Sequence, residues 1–428
     1  MRRVCCAGNW GIRLGVLTAT LGLACGRPAC GAGIDWYRWR GPDCNGISRE
    51  SGWLTNWPDA GPPVLWKAQV GQGYSSVTIS QGRLYTMGVV GGDDKLRGGQ
   101  ETVWCLDAQT GAVLWQQSYP YDFEPKYYDG GSSATPTVDG NRVFTLGQNG
   151  TINCFDAVSG AVVWRRHLPR ELGCKVPTWG FASSPLVQGD LLILNVGSAG
   201  TALDKATGRT VWTSGSDPAG YSSAVPYQHR GQAAVALFGQ RAAVGVAVKT
   251  GQLLWSFPWK TEWDVNAADP IVQGDTVFIS SGYQHGAALL RLDGSKPTVL
   301  WENKAMRNHV NSSVLIDGYL YGPDDDVDRT PLLRCVEWKT GAVRWTFKDF
   351  PCSALMAADG KLIVQGSRGE IIIVQARPDV CTVLAKAQPL AGRCWTTPVL
   401  SQGRLYCRNS KGELVCLDLR KPEAQPGG

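Results

Sequence analysis

The sequence predicts an all-β fold: an eight-bladed β-propeller of four-stranded antiparallel blades, closed by an N-terminal strand in the last blade. Three observations lead to this prediction. A turn signature recurs at a nearly fixed period, a small polar strand recurs eight times, and the last copy lacks its outer strand. Strand-rich repeats of about 40–50 residues are typical of propeller blades, each of which has four strands.

The turn signature is clearest at residues 105–115, which predict a strand, a tight turn and a second strand. Asp107 is placed to accept hydrogen bonds from the turn amides, and Gly111 supplies a positive φ. Trp115 brings a large ring that must be buried. An isolated Trp66 precedes this copy, and the motif positions recur at Asp156, Gly160, Trp164, Asp204, Gly208, Trp212, Gly251, Trp255, Asp293, Trp301, Gly341 and Trp345. Successive tryptophans lie 43 to 49 residues apart.

The small polar strands, such as residues 132–136 and 222–226, suit the crowded centre of a ring. The seventh copy has Val383 and Leu384 where the tryptophan would stand, and the eighth, residues 395–419, stops before any outer strand. The missing strand is supplied by residues 64–66, at the other end of the chain. Closing the ring in this way removes the exposed edges of an open stack of sheets.

The predicted organisation has four parts: a signal peptide at residues 1–32, a lead-in at 33–62 packed on the outside of the ring, the propeller at 63–420, and a frayed tail at 421–428. Residues 1–32 combine early arginines, a short apolar run and no acid, which is typical of a secretory signal. We therefore expect a periplasmic or secreted bacterial protein. A lipid anchor at Cys25 is disfavoured, because Gly22-Leu23-Ala24 lacks leucine at the position where lipoprotein signals usually have it.

Charge and hydropathy exclude two classes of partner. Loss of residues 1–32 removes four arginines and no acid, so the net charge falls from +6 to +2. Such a chain gives no electrostatic basis for binding nucleic acid. No later segment is long and apolar enough to span a bilayer. A single closed ring also leads us to expect a monomer, with the lead-in tryptophans Trp39, Trp53 and Trp57 buried.

Of 14 cysteines, four lie in residues 1–32. Four others share one repeat position, two residues before the acidic residue, where other blades have Ala202 and Gly245; they are Cys105, Cys154, Cys335 and Cys416. These are expected to be small, buried, free thiols. Cys352 and Cys394 lie one register apart on adjacent blades. A disulfide between them is therefore one of two alternatives in an oxidising compartment, the other being two free thiols.

Asp324, Asp326 and Asp328 form the densest acidic cluster. Their alternation resembles the start of a calcium loop, but Arg329 and Cys335 stand where the turn glycine and the bidentate glutamate belong. A solvated acidic loop is therefore the favoured interpretation, with calcium in another geometry as the alternative.

Alignment of the inner strands predicts which side chains surround the mouth of the ring. They are Tyr74, Asp129, Trp179, Tyr221, Asp264, Asn266, His309, Asn311, Arg393 and Trp395. Aromatic, amide and charged groups that converge on one axis are typical of a ligand pocket, although the loops at any ring mouth are polar. His309 is a candidate base without an identified partner.

The period and the Asp-x-x-Thr-Gly-x-x-x-Trp signature resemble the repeat of pyrroloquinoline quinone (PQQ)-like propellers. That family includes quinoprotein dehydrogenases and BamB-type outer-membrane assembly factors, and the resemblance covers nearly all of the chain after residue 38. In the dehydrogenases, the quinone lies between a tryptophan and a disulfide of adjacent cysteines, above calcium. Here the only adjacent pair, Cys5 and Cys6, lies in the predicted signal. For a cofactor, Trp179 or Trp395 is a candidate floor, and Asp264, Asn266 and Asp269 are candidate calcium ligands without a motif match.

These observations favour a binding or scaffold module of the cell envelope over an enzyme, with a protein, peptide or glycan as partner and no assigned cofactor. One alternative is a PQQ-dependent alcohol or sugar dehydrogenase that uses PQQ and Ca²⁺. Another is a carbohydrate-active enzyme with Asp129 and Asp264 as paired carboxylates, which such chemistry requires about 5–10 Å apart.

Overall fold

A computed structural model describes residues 35–58, 60–326 and 330–421. These residues form 33 strands and one short helix. Successive side chains of a strand point to opposite faces of its blade, and each face packs on a neighbouring blade. Most middle strands are therefore buried along nearly their whole length. The predicted signal peptide and residues 422–428 lie outside the described residues.

Two strands precede the first complete blade: β1 (Ile47–Ser48) and β2 (Val64–Gln69). Each blade then runs from an inner strand at the axis to an outer strand at the rim. Blade 1 contains β3 (Thr78–Ser80), β4 (Arg83–Val90), β5 (Gln100–Asp107) and β6 (Val113–Pro120). Blade 2 contains β7 (Thr137–Asp139), β8 (Arg142–Leu146), β9 (Thr151–Asp156) and β10 (Val162–His167), followed by the helix α1 (Leu168–Leu172). Blade 3 contains β11 (Leu186–Gln188), β12 (Leu191–Leu194), β13 (Thr201–Asp204) and β14 (Thr210–Thr213). Blade 4 contains β15 (Val225–His229), β16 (Gln232–Phe238), β17 (Ala242–Ala247) and β18 (Leu253–Pro258).

The second half of the ring repeats the pattern. Blade 5 contains β19 (Ile271–Gln273), β20 (Thr276–Ser281), β21 (Gly286–Arg291) and β22 (Thr298–Asn303). Blade 6 contains β23 (Val314–Ile316), β24 (Tyr319–Asp324), β25 (Leu332–Glu337) and β26 (Val343–Phe347). Blade 7 contains β27 (Cys352–Ala358), β28 (Lys361–Gly366), β29 (Ile371–Gln375) and β30 (Thr382–Ala387). The last group is β31 (Val399–Ser401), β32 (Arg404–Arg408) and β33 (Glu413–Asp418).

The predicted closure is confirmed. The eighth sheet has the order β2-β33-β32-β31, so its outer strand comes from the N-terminal end of the described chain. The two strands are antiparallel, with Trp66 opposite Cys416 and Lys67 opposite Val415. The fold is therefore the eight-bladed propeller that the sequence predicts, and its last blade combines strands from the beginning and the end of the propeller-forming chain.

Each docking tryptophan lies between its own blade and the next. Trp115 donates from Nε1 to the carbonyl of Ala157 at 3.0 Å, in the turn of blade 2, and its ring lies against Gly160. A Cβ at Gly160 would come within 2.6 Å of that ring, and the backbone there has φ +73°, so glycine is required on both counts. The same N–H to carbonyl bond is made by Trp66, Trp164, Trp212, Trp301 and Trp345.

The acidic residue of the motif shapes the turn that receives the tryptophan. Asp107 accepts hydrogen bonds from the backbone N–H groups of Gln109 and Thr110 and from the Thr110 hydroxyl. Asp156 and Asp204 bind their own turns in the same way. These bonds favour the ionised carboxylate and lower the pKa of all three aspartates.

The junction between blades 4 and 5 departs from the pattern. The turn after Asp293 lacks the Thr-Gly pair, and Trp255 donates instead to the hydroxyl of Tyr227 in its own blade at 2.6 Å. Trp255 is 1 % exposed. It reaches this depth because Gly245 stands opposite it, where five other docking tryptophans face cysteine or alanine and Trp301 faces Leu289.

The repeat cysteines fill one slot opposite the tryptophan. Cys105, Cys154 and Cys335 face Trp115, Trp164 and Trp345 across the ladder, and all four repeat cysteines are fully buried. All are free thiols, and burial raises the pKa of each thiol to about 12. The expectation of small, buried, unpaired side chains is thus confirmed.

Cys352 and Cys394 are also free and buried, so no disulfide joins them in this structure.

A girdle of hydrogen bonds explains the small polar inner strands. At five successive junctions, from blades 1 and 2 to blades 5 and 6, a side-chain oxygen beside the inner strand accepts from a backbone N–H of the preceding blade at 2.7–3.0 Å; the acceptors are Thr135, Ser184, Ser223, Asp269 and Ser312. Asn311 bridges blades 6, 7 and 8 through its contacts with Ser353, Trp395 and Thr397. Ser76 closes the circle by donating to the Thr397 carbonyl. We call these residues the girdle; Asp269 is the one carboxylate in it.

The lead-in lies partly where the sequence analysis did not place it. Its second half does pack on the side of the ring, where Trp53 and Trp57 are buried against blades 7 and 8. Its first half instead crosses the end of the central channel. The Tyr37 carbonyl accepts from Val138 of blade 2, Arg40 donates to the Ser313 carbonyl of blade 6, and β1 pairs in parallel with β27 of blade 7. This segment closes one end of the channel.

The acidic cluster is not the solvated loop that the sequence favoured. Asp324 is 2 % exposed and forms ion pairs with Arg307 at 2.6 Å and Arg334 at 3.0 Å. Asp326 is also buried and lies 3.5 Å from Arg307. The carboxylates are drawn inward because these arginines supply their counter-charge. Asp328 lies outside the described residues.

Across the described part of the chain, no helix is both long and apolar enough to cross a membrane.

Candidate functional site

The channel opens at the end opposite the lead-in, where the loops that enter the inner strands surround a cavity of about 530 Å³. This volume falls within the ordinary range for small-molecule pockets, about 300–1,000 Å³. Its described lining is dominated by tryptophan and tyrosine: Trp39, Tyr74, Tyr127, Tyr128, Trp179, Tyr221, Trp263, Tyr283 and Trp395. Asp269 is the one carboxylate in that described lining, which includes no lysine or arginine.

The structure brings six of the ten predicted mouth residues together in the cavity wall. They are Tyr74, Trp179, Tyr221, His309, Asn311 and Trp395. The other four, Asp129, Asp264, Asn266 and Arg393, are not part of the wall. Whether the six bind a ligand stays a prediction.

One part of the wall is a column of stacked side chains. Tyr74 stacks on Trp395 with ring centroids 5.5 Å apart, and Tyr128 continues the column 6.1 Å from Tyr74. The Arg393 guanidinium covers the Trp395 ring at 4.6 Å and pairs with Asp129 at 2.8 Å. Arg393 and Asp129 therefore hold the column in place from the rim, because the cation–π contact and the ion pair share one guanidinium.

A second part of the wall has edge-to-face pairs. Trp179 and Tyr221 meet at 5.9 Å and 70°, and Tyr283 and His309 at 4.9 Å and 89°. Burial lowers the pKa of His309 to about 4, against a weaker opposing effect of Asp326. The imidazole is therefore neutral at pH 7, which suits a packing role beside Tyr283 better than that of a charged group.

The floor of the cavity is Trp39 of the lead-in. Its indole N–H donates to Asp269 Oδ2 at 2.6 Å, while Asp269 Oδ1 accepts from the Ser223 amide of the girdle. Arg40 Nε lies 3.8 Å from the same carboxylate. Burial raises the pKa of Asp269, and Arg40 opposes that shift. Blade 5 thus has the carboxylate of Asp269 at the girdle position where Thr135, Ser184, Ser223 and Ser312 have a hydroxyl. Through this carboxylate, blade 5 anchors the segment that closes the channel.

Asp264 and Asn266 have structural partners. The Asn266 amide donates to the carbonyls of Gly239 and Trp259 and accepts from the Ser281 hydroxyl, so it holds the loops of blades 4 and 5. Asp264 has a left-handed backbone, with φ 55°, and pairs with Arg241 at 3.4 Å. These bonds turn both side chains away from the cavity.

The residues do not fit a quinone held over calcium. Asn266 and Asp269 have their side-chain polar atoms engaged by other groups, and Asp264 pairs through Oδ2 with Arg241, while its buried Oδ1 has no partner and lies outside the cavity lining. Within the described residues, no group of three or more His, Cys, Asp or Glu side chains is arranged to hold a metal ion. PQQ carries carboxylates, yet no lysine or arginine is part of the described lining to neutralise them. The aromatic wall provides stacking surface but not the charges that such a cofactor needs.

Residues 99–347 match the family of the outer membrane protein assembly factor BamB, which is more than half of the chain. The chain belongs to this family. The structure resembles BamB from Moraxella catarrhalis, with 14 % identity and a TM-score of 0.61 over 83 % of this chain and 99 % of that one. No curated protein matches the chain.

Two further solved structures share the fold of this BamB-family chain. It resembles quinohemoprotein alcohol dehydrogenase from Comamonas testosteroni, with 13 % identity and a TM-score of 0.62 over 92 % of this chain and 82 % of that one. It also resembles the computationally designed protein Ika8, with 11 % identity and a TM-score of 0.54 over 82 % and 98 %. At such low identity these similarities show the fold alone.

Five aromatic lining residues are not among those predicted for the mouth. Tyr127 and Tyr128 directly precede Asp129, and Trp263 directly precedes Asp264, so neighbours of predicted positions carry the lining. Tyr283 lies in a loop between two middle strands, which the alignment of inner strands did not cover. Trp39 belongs to the lead-in, and nothing in its sequence relates it to the channel.

Proposed function

We propose that this BamB-family propeller is a secreted binding or scaffold module of the bacterial cell envelope, and that the aromatic cavity is where its partner binds. The observation that carries the proposal is a cavity closed at one end, rich in Trp and Tyr, without an arranged set of catalytic groups. Aromatic anchors in a pocket supply a large share of binding energy at many interfaces. A peptide, a glycan or a loop of a partner protein would suit such a cavity.

The groups that an enzyme would need have other roles. His309 is neutral and packs against Tyr283, while Asp129 and Asp264 are each paired with an arginine outside the cavity lining. A pair of carboxylates for glycoside hydrolysis must flank a common substrate, and these two are held by different arginines at the rim. This favours binding over catalysis.

The binding test replaces Trp179 and Trp395 by alanine. We expect the double variant to lose capture of an envelope partner that the unchanged protein retains, with the partner identified by mass spectrometry and recaptured in purified form. The matched control is the pair Val113→Ser and Leu114→Ser on an exposed outer strand. Loss of capture in the control but not in the cavity variant would place the binding surface on the outer strands.

The dehydrogenase alternative has a direct test. Calorimetry with PQQ and Ca²⁺ should show no tight binding, and an alcohol or sugar should cause no dye reduction, because the cavity lacks counter-charges and free metal ligands. Sub-micromolar PQQ binding followed by dye reduction would replace the scaffold proposal by the dehydrogenase.

A further inference from the structure

The electrostatics of the cavity restrict the class of ligand. Asp269 has both oxygens engaged, by the Ser223 amide at 2.7 Å and by Trp39 Nε1 at 2.6 Å, with Arg40 3.8 Å away. A cationic ligand would have to compete with these three groups for the carboxylate. An anionic ligand would find no lysine or arginine in the described lining. Burying a charge without a partner is costly, so the cavity favours an uncharged ligand.

The apolar surface of the cavity is mainly aromatic. Its described lining includes nine tryptophan and tyrosine residues, and its larger aliphatic side chains are the two valines Val265 and Val310. Rings of Trp and Tyr offer flat faces with polar atoms at the edge. In the Trp179–Tyr221 pair the edge of one ring meets the face of the other, so one face of the receiving ring is left uncovered by its partner. Flat faces suit the C–H surface of a sugar ring better than a branched aliphatic chain.

Two girdle hydroxyls at the inner end of the cavity have a donor to spare. Ser184 Oγ accepts from the Thr135 amide and Ser223 Oγ accepts from the Ser184 amide, both at 2.9 Å. Among the described residues, neither hydroxyl has an acceptor for its own proton. Both residues line the cavity. Two O–H donors below an aromatic wall match a ligand that carries several oxygen acceptors.

We propose that the cavity binds a neutral sugar ring, as a mono- or disaccharide or the end of an uncharged glycan. The ring packs on the Trp179–Tyr221 wall, and its hydroxyl oxygens accept from Ser184 and Ser223. This inference rests on the proposed binding function and names the ligand class for the same cavity.

The experiment titrates the full-length folded protein with saccharides and follows tryptophan fluorescence and calorimetry. The neutral probes are glucose, cellobiose and N,N′-diacetylchitobiose; glucuronate and glucosamine are the anionic and cationic probes. At least one neutral probe should saturate, and each charged probe should bind at least about ten-fold more weakly. Equal or tighter binding of a charged probe, or no binding of any neutral probe, overturns the inference.

The girdle provides matched variants. Ser223→Ala and Ser312→Ala each remove one inter-blade acceptor, but only Ser223 lines the cavity. We expect Ser223→Ala and Ser184→Ala to weaken sugar binding about three- to ten-fold, the effect of one lost hydrogen bond, and Ser312→Ala to leave it unchanged. Equal weakening in Ser312→Ala would mean that the effect comes from the ring and not from a contact, and would overturn the assignment of the donors.

The result also separates this inference from the proposed function. If a purified partner protein binds in a Trp179-dependent manner while neutral sugars neither bind nor compete, the binding function stands and the sugar inference fails. If Trp179→Ala changes neither sugar binding nor partner binding, both fail.

Discussion

The wall of the ring, meaning the packed junctions between blades and not the lining of the cavity, differs from the cavity at the mouth in how it is built. In the wall, the same tryptophan, turn glycine and small residue meet at one blade junction after another, as Trp115, Gly160 and Cys105 do. In the cavity, equivalent positions hold different side chains, such as Tyr74, Trp179 and His309. The repeated part secures the fold, and the part that differs from blade to blade is where a specific ligand can be recognised.

The wall also shows how a repeat tolerates an exception. Blade 7 has no docking tryptophan. In blade 8 the turn that would receive one is missing, because the two strands that it would join, β33 and β2, come from opposite ends of the propeller-forming chain. Trp53 and Trp57 of the lead-in are buried in the core shared by these blades, and Trp57 donates to the Lys386 carbonyl at 2.9 Å. The lead-in thus supplies aromatic surface at the one junction where the motif is missing on both sides.

The largest expected effect comes from breaking the wall at its closure. Deleting residues 33–68 removes β2, the floor residue Trp39 and the anchor Arg40, and leaves β33 as an open edge. We expect an aggregating product, detected by size-exclusion chromatography and circular dichroism. Trp66→Ala is the milder version, expected to cost about 3–5 kcal/mol of unfolding free energy. A soluble, fully folded deletion product would contradict closure by the N-terminal strand.

A direct comparison of wall and cavity uses one tryptophan from each. Trp115→Ala removes a ring that is 8 % exposed and leaves a gap between blades 1 and 2, so we expect a loss of about 3–5 kcal/mol. Trp179→Ala acts at the open mouth and should cost less than about 1 kcal/mol. Urea unfolding of both variants measures the difference. Similar losses would mean that the mouth is part of the core and not a separable site.

The exceptional junction of blades 4 and 5 gives an intermediate effect. A Cβ at Gly245 would lie 2.1 Å from Trp255 Nε1 and 2.6 Å from the Tyr227 hydroxyl, so Gly245→Ala must displace a buried ring. We expect a destabilisation of about 1–3 kcal/mol by thermal or urea unfolding. Ala202→Cys is the control, because the same slot holds cysteine opposite tryptophan in four other blades. A neutral Gly245→Ala would show that Trp255 is not fixed as described.

The same contrast explains how much the sequence could predict. Blade number, docking motif and closure follow from a repeated pattern, so they can be recognised even where one copy departs from it, as blade 7 does by lacking the tryptophan. The residues of the mouth differ from blade to blade, so no such comparison between copies is possible. Strand alignment gives the height of a residue along the axis, but the positive φ of Asp264 and the hydrogen bonds of Asn266 decide that these side chains turn away. The floor residue Trp39 carries no repeat signal at all.

Acid should weaken the mouth before the wall. The folded pKa of His309, about 4, lies below the ordinary value of about 6.5, so its contribution to stability is complete above pH 6.5 and is lost as the pH falls towards 4. Because the ring is partly exposed, we expect a loss of about 1–2 kcal/mol between pH 7 and 4.5. His309→Gln should lose that much less over the same range in urea unfolding. Identical pH profiles would show that His309 is solvated.

The smallest effect is expected in the slot opposite the docking tryptophan. Cys105→Ala places in blade 1 the residue that blade 3 has at Ala202, so the cost should be no more than about 1 kcal/mol. The four slot thiols are buried, with pKa values raised to about 12, and should react with a thiol reagent at pH 8 only after denaturant is added. Rapid labelling of all four in the native protein, or their recovery in disulfides, would show that the junctions open far more readily than the wall's repeated packing implies. Slow labelling together with a costly Cys105→Ala would instead show that sulfur fills the slot in a way alanine cannot. The wall would then be less interchangeable from blade to blade than its sequence repeat suggests.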